Sequence, residues 1–330
     1  MSDPQKNGPE LTTNNDVLTY RPEIKILDCT IRDGGLMNDH HFEDKAVRAV
    51  YDACVKAGLD YMELGYKASK KLFAPTQFGA WKYCNEEDIK RIVGDNDSKL
   101  KLSAMADATR TDYKTDILPK QQSVLDMIRV ACYAHQIDTA LDMVRDAHDK
   151  GYETTINIIA ISTVSEPELD KTLELVAESP VGTIYLVDSF GNLYGKQIQH
   201  LIQKYSKYGR QVGMHAHNNQ ELAFANTITA YENGANILDG SLAGLGRGAG
   251  NCRTELLVGF LSQPGYKLRP LLQCIQEHIE PLRKDLHWGP EIPYIITGQL
   301  NQHPRPAIQF NSSQDRGSFL KFYDTITGMT

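Results

Sequence analysis

The 330-residue chain reads as an α/β protein, a closed (β/α)8 TIM barrel with a helical C-terminal extension. Three observations predict this. Eight short, β-rich apolar runs recur along the chain, nearly all separated by stretches of helical periodicity. Such alternation implies a parallel sheet. Residues 24–262, which hold all eight runs, make a segment close to the roughly 250 residues typical of such barrels. An open doubly wound sheet is the rival, but it wants a GxGxxG fingerprint after its first strand, and Gly34-Gly35 alone does not provide one.

In chain order, residues 1–23 open with a polar, aperiodic stretch and read as a mobile leader. KILDCTIRD (25–33) is apolar and β-branched, and breaks at Gly34-Gly35. DKAVRAVYDACVKAG (44–58) is a helix with a glycine stop, and LDYMELGY (59–66) a second strand. KLSAMAD (101–107) and SVLDMIRVAC (123–132) supply strands three and four. The helix TALDMVRDAHDKG (139–151) leads to the strand ETTINIIAIS (153–162). Ser165 and Glu168 then mark a capping box for the next helix. TIYLVDSFG (183–191) is strand six, and GKQIQHLIQKYSKYG (195–209) its helix. QVGMHAHNN (211–219) is strand seven, LAFANTITAYENG (222–234) a helix, and ANILDGSLAG (235–244) strand eight. The rhythm changes at residue 263. The remainder is helical, then rich in Pro, Gly and aromatics, and reads as a lid or a subunit contact.

Composition removes several function classes. With 41% hydrophobic and 23% charged residues the chain has ample material for a large core. The net charge of -7 and the lack of any basic stripe argue against nucleic acid. No apolar run approaches a membrane span and no signal-like apolar region is seen, so a soluble cytoplasmic protein is expected. The six cysteines are scattered without CxxC spacing and are expected to be reduced.

Chemistry concentrates at strand ends. Strand side chains alternate faces, so His215 and His217 point the same way and can close on one metal ion. Asp33 ends the first strand at the barrel mouth, where active sites of this architecture lie. One Asp and two His suit a divalent ion such as Mn²⁺, Mg²⁺, Co²⁺ or Zn²⁺. Arg32 stands beside Asp33, either to stabilise an enolate or to pair with Glu63. GLGRGAGN (244–251) lets backbone approach an anion, which marks Gly246 as a substrate contact. Asn251 at its end serves as a helix cap or a metal ligand. Glu63, Asp107, Asp188 and Ser189 are further polar strand-end groups, with Asp188 taken as substrate-binding.

DCTIRDGG, GMHAHNN and GLGRGAGN, in this order and spacing, resemble the DRE-TIM metallolyases over residues 24–262. The likeness is closest to the 4-hydroxy-2-oxovalerate aldolases. The resemblance implies a metal held by Asp33, His215 and His217, with Asn251 a fourth ligand in the lyase branch. It implies that Arg32 steadies a metal-bound pyruvate-type enolate and that Mn²⁺ is favoured. The aldolases carry a histidine as catalytic base three residues after the Asp, and here that position is Leu36. His41, or its neighbour His40, is the substitute if the loop folds back. Tyr294 is the counterpart of their C-terminal tyrosine, and His303 another residue within reach of the site.

The expected function is therefore a metal-dependent carbon–carbon lyase that cleaves or forms a 4-hydroxy-2-oxo acid. Its partner is a small 2-oxo acid, and the protein is expected to dimerise. A Claisen-type acyl-CoA synthase or lyase, a decarboxylase or carboxyltransferase, and a non-catalytic scaffold are the alternatives on the same barrel.

Overall fold

A computed structural model describes residues 21–329 of the chain. The first twenty residues of the expected leader lie outside the described residues. Eight parallel strands close into a barrel in sequence order: β1 (Lys25–Asp28), β2 (Tyr61–Tyr66), β3 (Lys101–Asp107), β4 (Met127–Cys132), β5 (Glu153–Ile158), β6 (Thr183–Asp188), β7 (Gln211–Ala216) and β8 (Ile237–Gly240). Closure is made by β1 against β8, from Lys25 opposite Ile237 to Asp28 opposite Gly240. Helices occupy most crossovers, beginning with Asp44–Ala57, whose buried face carries Val47, Val50 and Cys54 and which stops at Gly58 in the left-handed conformation. Among the described residues no helix is long and apolar enough to cross a membrane. All six cysteines are buried and unpaired.

The barrel interior is layered. Tyr61, Met127, Tyr185 and Ile237, one from each even-numbered strand, fill its lower part together with Leu27. Two residues further along the same strands stand Glu63, Arg129, Val187 and Asp239, all buried. The period of two thus places a charged layer on an apolar one. Gly213 on β7 is required beside Tyr185: a Cβ there would lie 2.5 Å from the phenol ring.

Three segments differ from what their sequence suggests. Strand four begins at Met127 rather than residue 123, because the Ser123 hydroxyl accepts the Leu125 N–H and the Asp126 carboxylate accepts the Leu102 N–H of β3. The helix Glu166–Ala177 starts after Ser165, but no side-chain cap bond forms there. The first strand stops at Asp28, with consequences for the site described below.

The C-terminal extension has two parts. Leu271, Cys274, Ile279 and Trp288 join the main core around the barrel. Tyr294, Ala307 and Phe322 instead form a small cluster of their own with Ala249 of the loop after β8.

Candidate metal centre and active site

Asp28 ends β1 by turning its carboxylate onto its own chain. Oδ1 accepts the Thr30 N–H at 3.0 Å and Oδ2 accepts from Thr254 Oγ1 at 2.7 Å. Such a short polar side chain diverts the backbone from the ladder. Residues Thr30–Gly34 therefore form a helical turn and not the end of a strand. This corrects the reading of 25–33 as one strand, and it removes a difficulty. On a strand Arg32 and Asp33 would face opposite ways, whereas on the turn Arg32 Nη1 donates to Asp33 Oδ1 at 2.6 Å. Gly34 and Gly35 both have right-handed helical φ. Their role is close approach: a Cβ on Gly34 would lie 2.8 Å from Leu245, and one on Gly35 2.2 Å from the His40 ring.

Asp33, His215 and His217 converge, with one ligand atom from each lying within 4.8 Å of the others, and all three are buried. The imidazoles meet edge to face, with centroids 5.1 Å apart. His215 Nδ1 faces Asp239 Oδ2 at 3.0 Å, which leaves Nε2 buried and without a partner among the described residues. That pairing fixes the ring as metal-site histidines are commonly fixed. His217 lies just past β7 and bridges to Asn251 in antiparallel fashion. Asn251 Nδ2 donates to Asp33 Oδ2 at 2.5 Å, and its Oδ1 is buried without a partner. A buried polar atom without a partner is costly. Two of them beside a carboxylate and two imidazoles make a donor set that fits a divalent ion. Although burial opposes it, the Arg32 guanidinium, with His217 and His215, holds the Asp33 carboxyl well below the usual range. Burial pushes the His217 imidazole down.

The charged layer supports this centre from below. Arg32 Nε donates to Glu63 Oε2 at 2.7 Å. Arg129 donates to Glu63 Oε2 at 2.9 Å and to Asp239 Oδ2 at 2.6 Å. Its guanidinium carbon lies 4.3 Å from the centre of the Tyr185 ring. A continuous path of ion pairs thus runs from Asp33 through Arg32, Glu63, Arg129 and Asp239 to His215. Arg129 and Asp239 were not among the sequence candidates. The available signal was a single charge at an inward position of each of two apolar strands.

A cavity of about 420 Å³ opens above the triad. Arg32, Leu36, Ser189, Arg247 and, from the C-terminal extension, His303 line it. Arg247 Nη2 donates to the Ser189 carbonyl at 2.9 Å. Other expected site residues lie elsewhere. His41 is exposed, with Nε2 facing the Gln77 carbonyl at 3.2 Å, and it does not line the cavity. The helical turn and a left-handed Asp39-His40 pair direct His40 inward and His41 outward. Tyr294 packs in the extension's own cluster, its ring against Gly248. Asp188 accepts the N–H groups of Asn192 and Leu193 and so shapes the loop after β6. Burial raises its carboxyl to about 7. Gly246 is not in the cavity wall. A Cβ there would lie 2.4 Å from Asn251 Nδ2 and 2.5 Å from Asp33 Oδ2, so the bare backbone lets those two groups meet.

His40 is buried, with neither ring nitrogen hydrogen-bonded among the described residues, edge-on to Tyr66 at 5.4 Å. Burial, reinforced by Lys82 and Arg32, lowers its imidazole to about 3. The unfolded chain binds a proton near pH 6.5 and the fold binds it only near pH 3. Stability is therefore expected to fall as pH drops from about 6.5 to about 3. Urea midpoints across this range check it, and His40→Leu should flatten the slope.

With this geometry described, known proteins can be compared. The sequence model of the HMGL-like family matches residues 23–278. The chain belongs to the HMGL-like family. Its curated relatives include a protein of Mycobacterium tuberculosis named oxaloacetate decarboxylase, 30% identical over 75% of this chain and 72% of the relative. The 4-hydroxy-2-oxovalerate aldolase of Bacillus thuringiensis is 28% identical over 78% and 76%. The N-terminal domain of an aldolase candidate from Bacteroides vulgatus superposes with a TM-score of 0.75 at 28% identity, covering 88% of this chain and 97% of that one. The HMG-CoA lyase of Bacillus subtilis shares the fold, with a TM-score of 0.67 at 19% identity over 82% of this chain and 97% of that one. This HMGL-like chain is a lyase-type enzyme.

Proposed function

We propose that the protein is a divalent-metal-dependent aldolase that cleaves or forms a 4-hydroxy-2-oxo acid through a pyruvate-type enolate. The observation that carries this reading is the pair of unsatisfied buried atoms, His215 Nε2 and Asn251 Oδ1, beside Asp33 and His217. Asp33, His215, His217 and Asn251 would hold the ion, with Mn²⁺ favoured over Mg²⁺, Co²⁺ or Zn²⁺ on the family resemblance. When bound, the ion supplies Lewis-acid polarisation of the 2-oxo group. Arg32 does the rest of the charge work. Its guanidinium lines the cavity beside Asp33, so it faces the oxygen on which negative charge grows, while Glu63 fixes its orientation. The extension contributes His303, Arg305 and Ile308 to the cavity wall.

A second reading is decarboxylation of a 2-oxo acid with a carboxylate beside the developing enolate, which needs no base for a hydroxyl proton. Leu36 favours it, because an apolar side chain stands where the aldolases have their base. His303, the one lining histidine outside the triad, already accepts the Arg305 N–H at Nδ1, 3.0 Å away. The M. tuberculosis relative's name points the same way. One experiment separates the readings. Mn²⁺-loaded protein is incubated with pyruvate in D₂O, then with 4-hydroxy-2-oxovalerate and with oxaloacetate. Methyl exchange with aldol cleavage supports the first reading. Loss of CO₂ from oxaloacetate without aldol cleavage supports the second, and no reaction in any arm overturns both.

A further inference from the structure

The cavity wall holds more positive charge than the reaction above uses. Arg32 is paired with Asp33 and Glu63, and Arg247 is committed to the Ser189 carbonyl. Lys82, Arg110 and Arg305 also line the cavity, and among the described residues none has an ion pair or a side-chain hydrogen bond. Lys82 is only 8% exposed. Its ammonium is wedged against aromatic faces, 4.2 Å from the centre of Phe73 and 4.8 Å from Tyr66. A buried ammonium with three unused donors is unfavourable unless something anionic meets it.

Topology places this charge away from the two histidines. Lys82 follows β2 and Arg110 follows β3, whereas the histidines come from β7. In a closed ring of eight sequential strands β3 stands across the mouth from β7. Among the described residues the wall's one carboxylate besides Asp33 is Asp107, which burial pushes upward while Lys82 and Arg110 oppose the shift. Even with Asp107 ionised, the two cations beside it leave a positive surplus, and Arg305 adds to it from the extension. This occurs in a chain whose net charge is -7.

We infer that Lys82 and Arg110 form a second oxyanion subsite, which selects 2-oxo acids bearing a carboxylate or phosphate at the end remote from the 2-oxo group. The inference rests on the proposed function only in seating the 2-oxo acid end at the metal triad. In an aldol cleavage the distal anion would leave on the aldehyde fragment. The carbon–carbon bond breaks between C3 and C4, the C4 hydroxyl proton is lost as the aldehyde forms, and the electron pair passes to C3 as the enolate, which takes up a proton to give pyruvate.

Calorimetric titration of the Mn²⁺-loaded protein tests this without turnover. The probes are 2-oxopentanoate, 2-oxoglutarate and 4-phosphono-2-oxobutanoate, which share a 2-oxo acid end and differ in distal charge. At least one dianionic probe is expected to bind about tenfold or more tighter than 2-oxopentanoate, as a charge-assisted contact provides. The better of the two identifies carboxylate or phosphate as the distal group. Arg110→Met, an exposed change that leaves the core intact, should collapse that ratio toward one, and Arg110→Lys should retain part of it. Equal affinity for all three probes overturns the subsite while sparing the 2-oxo acid reading. A ratio unchanged in Arg110→Met and in Lys82→Met overturns the residue assignment. Failure of every probe to bind overturns the 2-oxo acid reading itself and the subsite with it.

Discussion

His217→Ala should abolish turnover and lower bound Mn²⁺ to well under half an equivalent after loading, while leaving the barrel folded. Loss of a group that merely orients a metal ligand costs roughly 10–100-fold in affinity or activity, and removal of a ligand should exceed that. The fold should survive because His217 lies beyond the last ladder residue of β7, Ala216, and outside the apolar clusters. The truncation leaves Asp33 in contact with Arg32 and Asn251, so no carboxylate is stranded. Metal analysis on gel-filtered protein, with circular dichroism as the folding control, decides it. A fully active, fully metallated variant would overturn the site assignment.

Arg129→Met should be the most destabilising single change in the barrel interior, by roughly 3–5 kcal/mol, the usual result of removing one partner from a buried ion pair. The guanidinium serves Glu63 and Asp239 at once, and all three side chains are fully buried. Methionine fills the volume but leaves Asp239 with only the His215 ring and Glu63 with only Arg32 as partner. Lysine should rescue only in part, since one ammonium does not reproduce a fork that spans two carboxylates. Urea unfolding followed by circular dichroism measures the loss. Mn²⁺ affinity should fall as well, because Asp239 also holds the His215 ring.

The eight-strand rhythm was legible because parallel barrel strands are short, apolar and punctuated by helices. The convergence of Asp33, His215 and His217 was legible because residues two apart along β7 and its end share one face, and because Asp33 sits beside a recognisable break. The nature of that break was not legible. The side chain of Asp28 turns the chain into a helix, and its partner Thr254 lies over two hundred residues away. His41 failed for a related reason: its direction depends on left-handed backbone at Asp39 and His40 and on the space beside Gly35. Tyr294 packs into a cluster that forms only once the extension folds back over the loop after β8.

By itself the sequence determined the barrel, the segments that carry Asp33, His215 and His217, and the family motifs, because these rest on periodicity and short-range spacing. Tertiary structure alone decided how charges separated by dozens to hundreds of residues meet. It linked Arg32, Glu63, Arg129 and Asp239 beneath the candidate metal centre, and gathered Lys82, Arg110 and Arg305 around one cavity. The physical reason is that barrel closure sets which strand ends face one another, and charges interact through space rather than along the chain.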